Sequence, residues 1–390
     1  MRSLLPGAVA VLLIAGCTSS VTGTPTPVPQ PVTASSPEAP GSVPIDPSAD
    51  GELRVSDVAA TPDGGLTALL IADSGSDARS AFVRLVPGDG GLTVVAVAEA
   101  TTFAHPSELV VAPDGTVVAL ASVPPEAGDV ALDGFDGPDL ALAVLAPGST
   151  QAELRQVAAV EGLGSPDSGN GVLSPDGATL VASLRWTVDG ETVTRLATVD
   201  VATGEVTSTA PLGVESATAF DLALRPGGGV AALVTVLDGV DRTLLAEFDA
   251  ALQPVRPPVE LAAGGSGYAL AVRPDGTVVV SVSPPAGEAE TARLVVVRGD
   301  LVQTAAELPA VAIDLAVTAD GAVHVSWTGA DGAPTLATVD LVSGEVVGEV
   351  ALCASGVAGP VGLSADGQAV LVTAACYEDG VPSDLALLVS

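Results

Sequence analysis

The chain has 390 residues, of which 47 are acidic and 13 basic, and its formal net charge at pH 7 is −34. A surface this acidic repels phosphate groups, so nucleic acid is excluded as a partner. Every basic residue is arginine, and the abundance of alanine, valine and glycine indicates a high-GC genome, either actinobacterial or halophilic.

The N-terminus has the pattern of a signal peptide. A short basic start is followed by the apolar stretch 4–14, which is too short to span a bilayer as a helix. The stretch ends in Leu-Ile-Ala-Gly-Cys at Cys17, which resembles the lipobox of bacterial lipoproteins. That resemblance implies a signal peptide at residues 1–16, palmitate and related lipid on Cys17, and anchoring at the outer face of the cell membrane. The alternative is a plain secretory signal with an incidental cysteine.

Residues 17–50 form a segment rich in proline, threonine and serine, with its densest part at 24–31. Such a composition cannot bury a hydrophobic core, so it predicts a disordered, partly polyproline tether. The tether would hold the rest of the chain, residues 51–390, away from the membrane.

Seven times in residues 51–390 an apolar run ends in a turn of the Pro-Asp-Gly type and a second apolar run follows. The steps between equivalent turn positions are 51, 62, 51, 48, 45 and 46 residues. This period fits one four-stranded propeller blade, and the runs have strand rather than helix character. We therefore expect an all-β fold, a seven-bladed β-propeller of four-stranded antiparallel blades. The C-terminal run completes only three strands of the last blade, so Glu52–Val55 or residues just before it would supply the fourth.

Two hairpins share the sequence Val-Asp-x-x-Thr/Ser-Gly-Glu-Val, at 199–206 and 339–346. Together with the Ser-Pro-Asp-Gly turn they are similar to bacterial extracytoplasmic propellers of the TolB-like (WD40-like) and YVTN-repeat families. The resemblance covers residues 51–390. It implies a β-propeller whose function is binding, scaffolding or, less commonly, catalysis, and a monomer is expected.

Polar residues recur six positions before the aspartate position of five of the seven turns. The seven positions hold Asp57, Glu108, Asn170, Asp221, Ala269, Asp314 and Pro360. The five polar members would begin the inner strands around one mouth of the central channel. Four carboxylates and one amide form an oxygen-rich set that suits Ca²⁺, whereas the alternative is that the polar groups are hydrated and bonded to neighbouring backbone.

The remaining signals favour binding over catalysis. Of the two histidines, only His105 lies near the mouth as a candidate base, while His324, Trp186 and Trp327 are expected to pack within blades. Acidic side chains recur in the loops between second and third strands, on the same face. Cys353 and Cys376 end strands on one face and are predicted to form a disulfide, with two free thiols as the alternative.

The sequence thus predicts a membrane-anchored extracytoplasmic binding or scaffold module that recognises a protein or small ligand on the channel-mouth face. No cofactor is required by this interpretation, and Ca²⁺ is the candidate ion. The alternative is a calcium-dependent hydrolase of the lactonase or esterase type. That enzyme would use Glu108, Asn170, Asp221 and Asp314 as ligands and His105 as base.

Overall fold

The computed structural model describes residues 43–44, 52–62, 65–73, 79–88, 91–100, 109–123, 139–149, 151–214, 217–236, 242–263, 265–283, 291–364, 367, 370–378 and 381–389. The chain divides into two units, Met1–Val32 and Thr33–Ser390, and all described residues belong to the second. The predicted signal peptide, Cys17, His105 and Glu108 lie outside the described residues. In the part of the chain described, no helix has the length and hydropathy needed to cross a bilayer.

The described residues form seven four-stranded antiparallel sheets. Six of these sheets are built from four consecutive strands each, and we call them blades 1–6. The strands of blades 1–3 are β2 Glu52–Ala60, β3 Leu66–Asp73, β4 Arg79–Gly88, β5 Gly91–Ala100; β6 Leu109–Val111, β7 Val117–Val123, β8 Asp139–Leu145, β9 Glu153–Gln156; and β10 Ser168–Leu173, β11 Thr179–Val188, β12 Glu191–Asp200, β13 Val206–Pro211. Those of blades 4–6 are β14 Ala217–Leu224, β15 Val230–Val236, β16 Arg242–Phe248, β17 Val259–Ala263; β18 Gly267–Val272, β19 Val278–Val282, β20 Ala292–Arg298, β21 Leu301–Leu308; and β22 Ala312–Val317, β23 Val323–Thr328, β24 Pro334–Asp340, β25 Glu345–Ala351.

The seventh sheet, which we call the closing sheet, combines both ends of the described chain. Its strands are β26 Gly356–Leu363, β27 Val370–Glu378, β28 Val381–Val389 and, as the outer strand, β1 Val43–Pro44. The expectation of seven four-stranded blades within residues 51–390 is therefore wrong, because that range contains six complete blades and three strands of the closing sheet. Of the two segments proposed for closure, Glu52–Val55 instead lies in β2, the inner strand of blade 1. The two upstream residues of β1 pair with Asp384 and Leu385 of β28.

The first strand of each sheet is its inner strand, and these strands pack side by side around the fold. The order of packing is β2, β6, β10, β14, β18, β22 and β26, and β26 returns to β2. Radial packing of this kind leaves only short, protected strand edges, which is the physical advantage of a propeller over an open sheet.

Buried aliphatic side chains explain why the strands stack as blades. In blade 5, all five residues of β19 are buried, and β20 adds Leu294 to the core on one face of the sheet and Val295 to the core on the other. A tight turn separates the apolar run of β18 from that of β19. In this turn Gly276 adopts a φ of 81°, and Asp275 accepts a hydrogen bond from the Thr277 N–H at 3.0 Å. The turn aspartates thus act as turn formers, as their Pro-Asp-Gly context predicts.

Candidate functional site at the channel mouth

The described members of the predicted polar ring lie at equivalent places on inner strands. Asp57 is on β2, Asn170 on β10, Asp221 on β14 and Asp314 on β22. All four side chains are half-buried. Each residue lies three residues before the last residue of its strand, so these residues do not begin the inner strands as the sequence predicts. We call the end at which the inner strands begin, opposite the Pro-Asp-Gly turns, the mouth face.

Each of the three aspartates bonds two neighbouring inner strands together. In Asp221, Oδ1 accepts the Leu222 N–H at 2.7 Å and Oδ2 accepts the Leu270 N–H of blade 5 at 2.6 Å. Asp314 accepts from its own strand at Leu315 and from the closing sheet at Val361, at 2.7 and 2.8 Å. We call this two-strand arrangement the aspartate clamp.

Asp57 forms the third clamp, accepting from Val58 on its own strand and from Leu109 of blade 2. In every case the neighbour's donor is the residue directly after its own ring position, and those positions are Glu108, Ala269 and Pro360. A clamp therefore runs from an aspartate-bearing strand to a following strand without one. Where aspartate is present, the equivalent N–H already donates to the strand's own carboxylate.

Asn170 occupies the ring position of blade 3, outside the three clamped pairs. Its Nδ2 donates to the main-chain oxygen of Phe220 in blade 4 at 2.7 Å. Its Oδ1 is buried and has no hydrogen-bond partner among the described residues. The amide thus joins blades 3 and 4 through a donor, whereas the aspartates join blades through acceptors.

The clamps hold carboxylates in an environment that disfavours their charge. Removal from water raises the pKa of Asp57 and of Asp221 to about 7, and that of Asp314 to about 6. The charge of Asp314 raises the first two pKa values further, while the backbone N–H donors lower them. The three carboxylates therefore interact electrostatically, but hydrogen bonding to backbone is their direct contact.

This geometry supports the backbone-bonded alternative for the ring. Among the described residues, no group of three or more His, Cys, Asp or Glu side chains is placed to hold a metal ion. Calcium binding stays a prediction, because Glu108 and the candidate base His105 lie outside the described residues. The lactonase alternative, which needs the same two residues, also stays a prediction.

The residue just before the ring position forms a second feature of the mouth face, one that sequence reasoning missed. Strand pairs change register there in blades 1, 4, 5 and 6 and in the closing sheet, and in blades 4–6 the extra residues of the β-bulges are Phe220, Tyr268 and Ile313. Their side chains are 54%, 45% and 43% exposed. Since β14, β18 and β22 pack in succession, these three exposed apolar residues lie at equivalent positions on adjacent inner strands, and we call them the mouth arc.

The mouth arc is confined to blades 4–6. At the other four equivalent positions the chain has only small residues, namely Ser56, Ser107, Gly169 and Gly359. At Gly169 a larger side chain is excluded, because a Cβ would lie 2.7 Å from both the Leu184 side chain and the Ser183 carbonyl oxygen. Aligning the seven repeats one residue upstream of the ring would have revealed this division into large and small positions.

Acidic hairpins flank the mouth arc on the same face. Asp189 and Glu191 lie at the β11–β12 turn of blade 3, Asp331 lies at the β23–β24 turn of blade 6, and all three are exposed. They make no ion pair within the described part of the chain. Most of the other predicted acidic loops, including 124–138, fall outside it.

The remaining residues considered from sequence have structural contacts. Trp186 is fully buried and its Nε1 donates to the Gly164 carbonyl at 3.1 Å, and Trp327 is also buried. His324 lies within β23, where its Nδ1 is 3.1 Å from the Thr338 hydroxyl and burial lowers its pKa. Cys353 and Cys376 are joined by a disulfide.

Comparison with known proteins identifies the fold only. No protein-family model matches the chain, and no curated protein matches it. Among solved structures it is similar to Kuenenia stuttgartiensis hydrazine synthase, with 14% identity, a TM-score of 0.62, and coverage of 89% of this chain and 97% of that one. It is also similar to the Dos1 propeller, with 13% identity, a TM-score of 0.52, and coverage of 86% and 77% respectively. At such low identity these likenesses show that the chain is a β-propeller and assign it no activity.

Proposed function

We propose that this protein is a lipid-anchored binding module at the outer face of the cell membrane, and that it recognises its ligand through the mouth arc. The observation that carries the proposal is the arc itself. Three large apolar side chains occupy equivalent bulge positions on successive inner strands, and each is about half exposed. Bulges redirect side chains and are common beside binding sites. Clustered exposed apolar residues mark interaction surfaces.

The envelope location rests on two further features. The lipobox-like sequence at Cys17 would supply the membrane anchor, and the proline-rich segment after it would supply the spacing. The disulfide between Cys353 and Cys376 fits an oxidising compartment outside the cytoplasm. Membrane fractionation tests the anchor: wild-type protein should sediment with membranes, and Cys17→Ser should be found in the soluble extracytoplasmic fraction. Equal sedimentation of both would contradict anchoring through Cys17.

The binding role is tested by selection from a random-peptide display library on the full-length chain. Clones should be recovered that bind wild-type protein and lose binding to the Phe220→Ala/Tyr268→Ala variant. A control variant, Leu301→Ala/Val342→Ala, removes two apolar side chains that are 61% and 96% exposed away from the mouth face. Clones should bind this control as they bind the wild type. Recovery of only arc-independent clones would overturn the proposal.

A further inference from the structure

We propose that the occupant of the mouth arc is a basic segment of a partner protein, in which arginine or lysine side chains flank an apolar side chain. This inference rests on the proposed function and specifies the chemistry of its ligand. It follows from three properties of the mouth face: the exposure of the arc residues, the aromatic character of two of them, and the charge around them.

The exposure of the arc residues favours a protein ligand over a small molecule. Small-molecule sites bury most of the ligand surface within a concave cavity. Phe220, Tyr268 and Ile313 are instead 54%, 45% and 43% exposed, and they lie on three successive inner strands. A row of exposed side chains on three blades can be covered by an extended segment that contacts several side chains at once. Aromatic residues of this kind commonly anchor protein interfaces.

The aromatic members provide a specific interaction for cationic side chains. The exposed rings of Phe220 and Tyr268 each present a π face, which attracts guanidinium and ammonium groups. Ile313 has no such face and offers only apolar contact. The arc therefore combines two positions suited to arginine or lysine with one suited to an aliphatic side chain.

The surrounding charge selects the same ligand. The whole chain has a formal net charge of −34 at pH 7. The exposed carboxylates of Asp189, Glu191 and Asp331 flank the arc and make no ion pair among the described residues. Two arginines near this end face acidic neighbours: Arg185 bonds Asp167 at 3.0 Å, and Arg293 lies opposite Glu307 in the strand register. A basic segment would be attracted to this face, whereas an acidic one would be repelled.

Fluorescence anisotropy with four labelled synthetic peptides of equal length tests the inference on the full-length chain. The peptides alternate Arg-Leu, Gln-Leu, Glu-Leu and Arg-Ser. We expect the Arg-Leu peptide to bind most tightly and to bind at least about tenfold more weakly to Phe220→Ala/Tyr268→Ala. The Arg-Leu peptide should bind the Leu301→Ala/Val342→Ala control as tightly as it binds the wild type. Added salt should weaken the binding of this peptide to the wild type.

The possible results separate this inference from the proposed function. If the Gln-Leu peptide binds as tightly as Arg-Leu and depends on the arc, the arc is a binding surface and the basic character of its ligand is wrong. If the Arg-Leu peptide binds the arc variant as well as it binds the wild type, its attraction to the protein is diffuse and the inference is overturned, while the proposed function is judged by the display selection. Absence of binding by every peptide overturns the inference alone, since the display selection tests the arc separately. Matching thermal unfolding of wild type and variants establishes that each variant is folded.

Discussion

The three aspartates of the inner strands show how one short side chain can connect two strands of different sheets. A carboxylate offers two oxygens and accepts several hydrogen bonds. In Asp221 one oxygen accepts the next N–H of its own strand and the other accepts an N–H of blade 5. The clamp thus satisfies one backbone donor in each sheet while joining the two blades.

Removing a clamp should destabilise the fold. In Asp221→Ala the N–H groups of Leu222 and Leu270 lose their acceptor, and we expect the free energy of unfolding to fall by about 2–3 kcal/mol. Urea denaturation measures the change. Glu349→Gln is the matched control, because Glu349 is exposed on the outer strand β25, and its effect should be within about 0.5 kcal/mol. Equal stability of the two variants would show that the clamp contributes nothing.

The raised pKa values of the clamps also predict how stability depends on pH. Between about pH 4 and pH 7 the folded state holds protons on Asp57, Asp221 and Asp314 that the unfolded state has released. Their contribution to stability is complete below the unfolded pKa and is lost as pH rises through the folded values, so stability should increase as pH falls from 8 to 5. Asp275 behaves oppositely, because the Thr277 N–H lowers its pKa, and its contribution is lost only on further acidification.

Thermal unfolding across this pH range provides the measurement. Asp314→Asn should reduce the dependence on pH, because it removes one titrating group and relieves the repulsion that raises the pKa values of Asp57 and Asp221. Asp275→Asn should leave the slope between pH 5 and 8 as in the wild type. A wild-type midpoint that falls steadily from pH 8 to pH 5 would contradict the sign of this prediction.

At the scale of the element, two matching hairpins attach blades 3 and 6 to their preceding neighbours. In each hairpin the glycine N–H donates to the main-chain oxygen of an aspartate at 2.8 Å, from Gly204 to Asp200 and from Gly344 to Asp340. Both glycines have positive φ, 75° and 74°. Each also lies against a carbonyl of the preceding blade's outer strand, Gln156 or Ala305. The repeated Val-Asp-x-x-Thr/Ser-Gly-Glu-Val sequence therefore encodes an inter-blade contact as well as a turn.

The effect of the turn and the effect of the inter-blade contact can be separated by comparing alanine substitutions at Gly344 and Gly332. Gly344→Ala should cost more stability than Gly332→Ala, although both positions have left-handed φ values of 74° and 82°. A Cβ at Gly344 would lie 2.5 Å from the Ala305 oxygen, whereas a Cβ at Gly332 meets nothing within 4 Å. We expect about 1 kcal/mol at Gly332 from backbone strain alone, and about 2–3 kcal/mol at Gly344, by chemical denaturation. Equal losses of unfolding free energy in the two variants would mean that the close approach of Gly344 to the Ala305 carbonyl does not constrain this position.

Strand positions could be predicted from sequence because each blade repeats local signals. In blade 5 the mainly apolar run Ala292–Val297, bounded by polar residues, coincides with β20 except for Arg298 at its end. The partners of the clamps could not be predicted, since a polar residue at a strand start is compatible with metal, water or backbone. The bulges at Phe220, Tyr268 and Ile313 depend on register between strands, and register is not encoded in a single strand. For the same reason the two-residue strand β1 could not be distinguished from the tether by composition.

At the scale of the whole molecule, closure depends on the sheet that joins the two ends of the described chain. Three features attach the closing sheet to the ring. Asp314 of blade 6 bonds the Val361 N–H, β26 packs against β2, and Cys353 in the connection from blade 6 is bonded to Cys376 of β27. Because neighbouring blades contact each other around the ring, loosening this sheet exposes the faces of blade 1 and blade 6 together.

Removing the disulfide should therefore loosen the closing sheet first. The bond joins cysteines separated by 23 residues, and closing a loop of this size is worth about 3 kcal/mol through the entropy of the unfolded chain. We expect Cys353→Ser/Cys376→Ser to lose about that much stability in urea denaturation, and reductant should bring the wild type to the same value without affecting the variant. Hydrogen exchange should accelerate in β26 and β27 more than in β18 and β19 of blade 5. Uniform acceleration in all blades would mean that the ring opens only by global unfolding, and unchanged stability would show that the clamp of Asp314 and the packing on β2 suffice to close it.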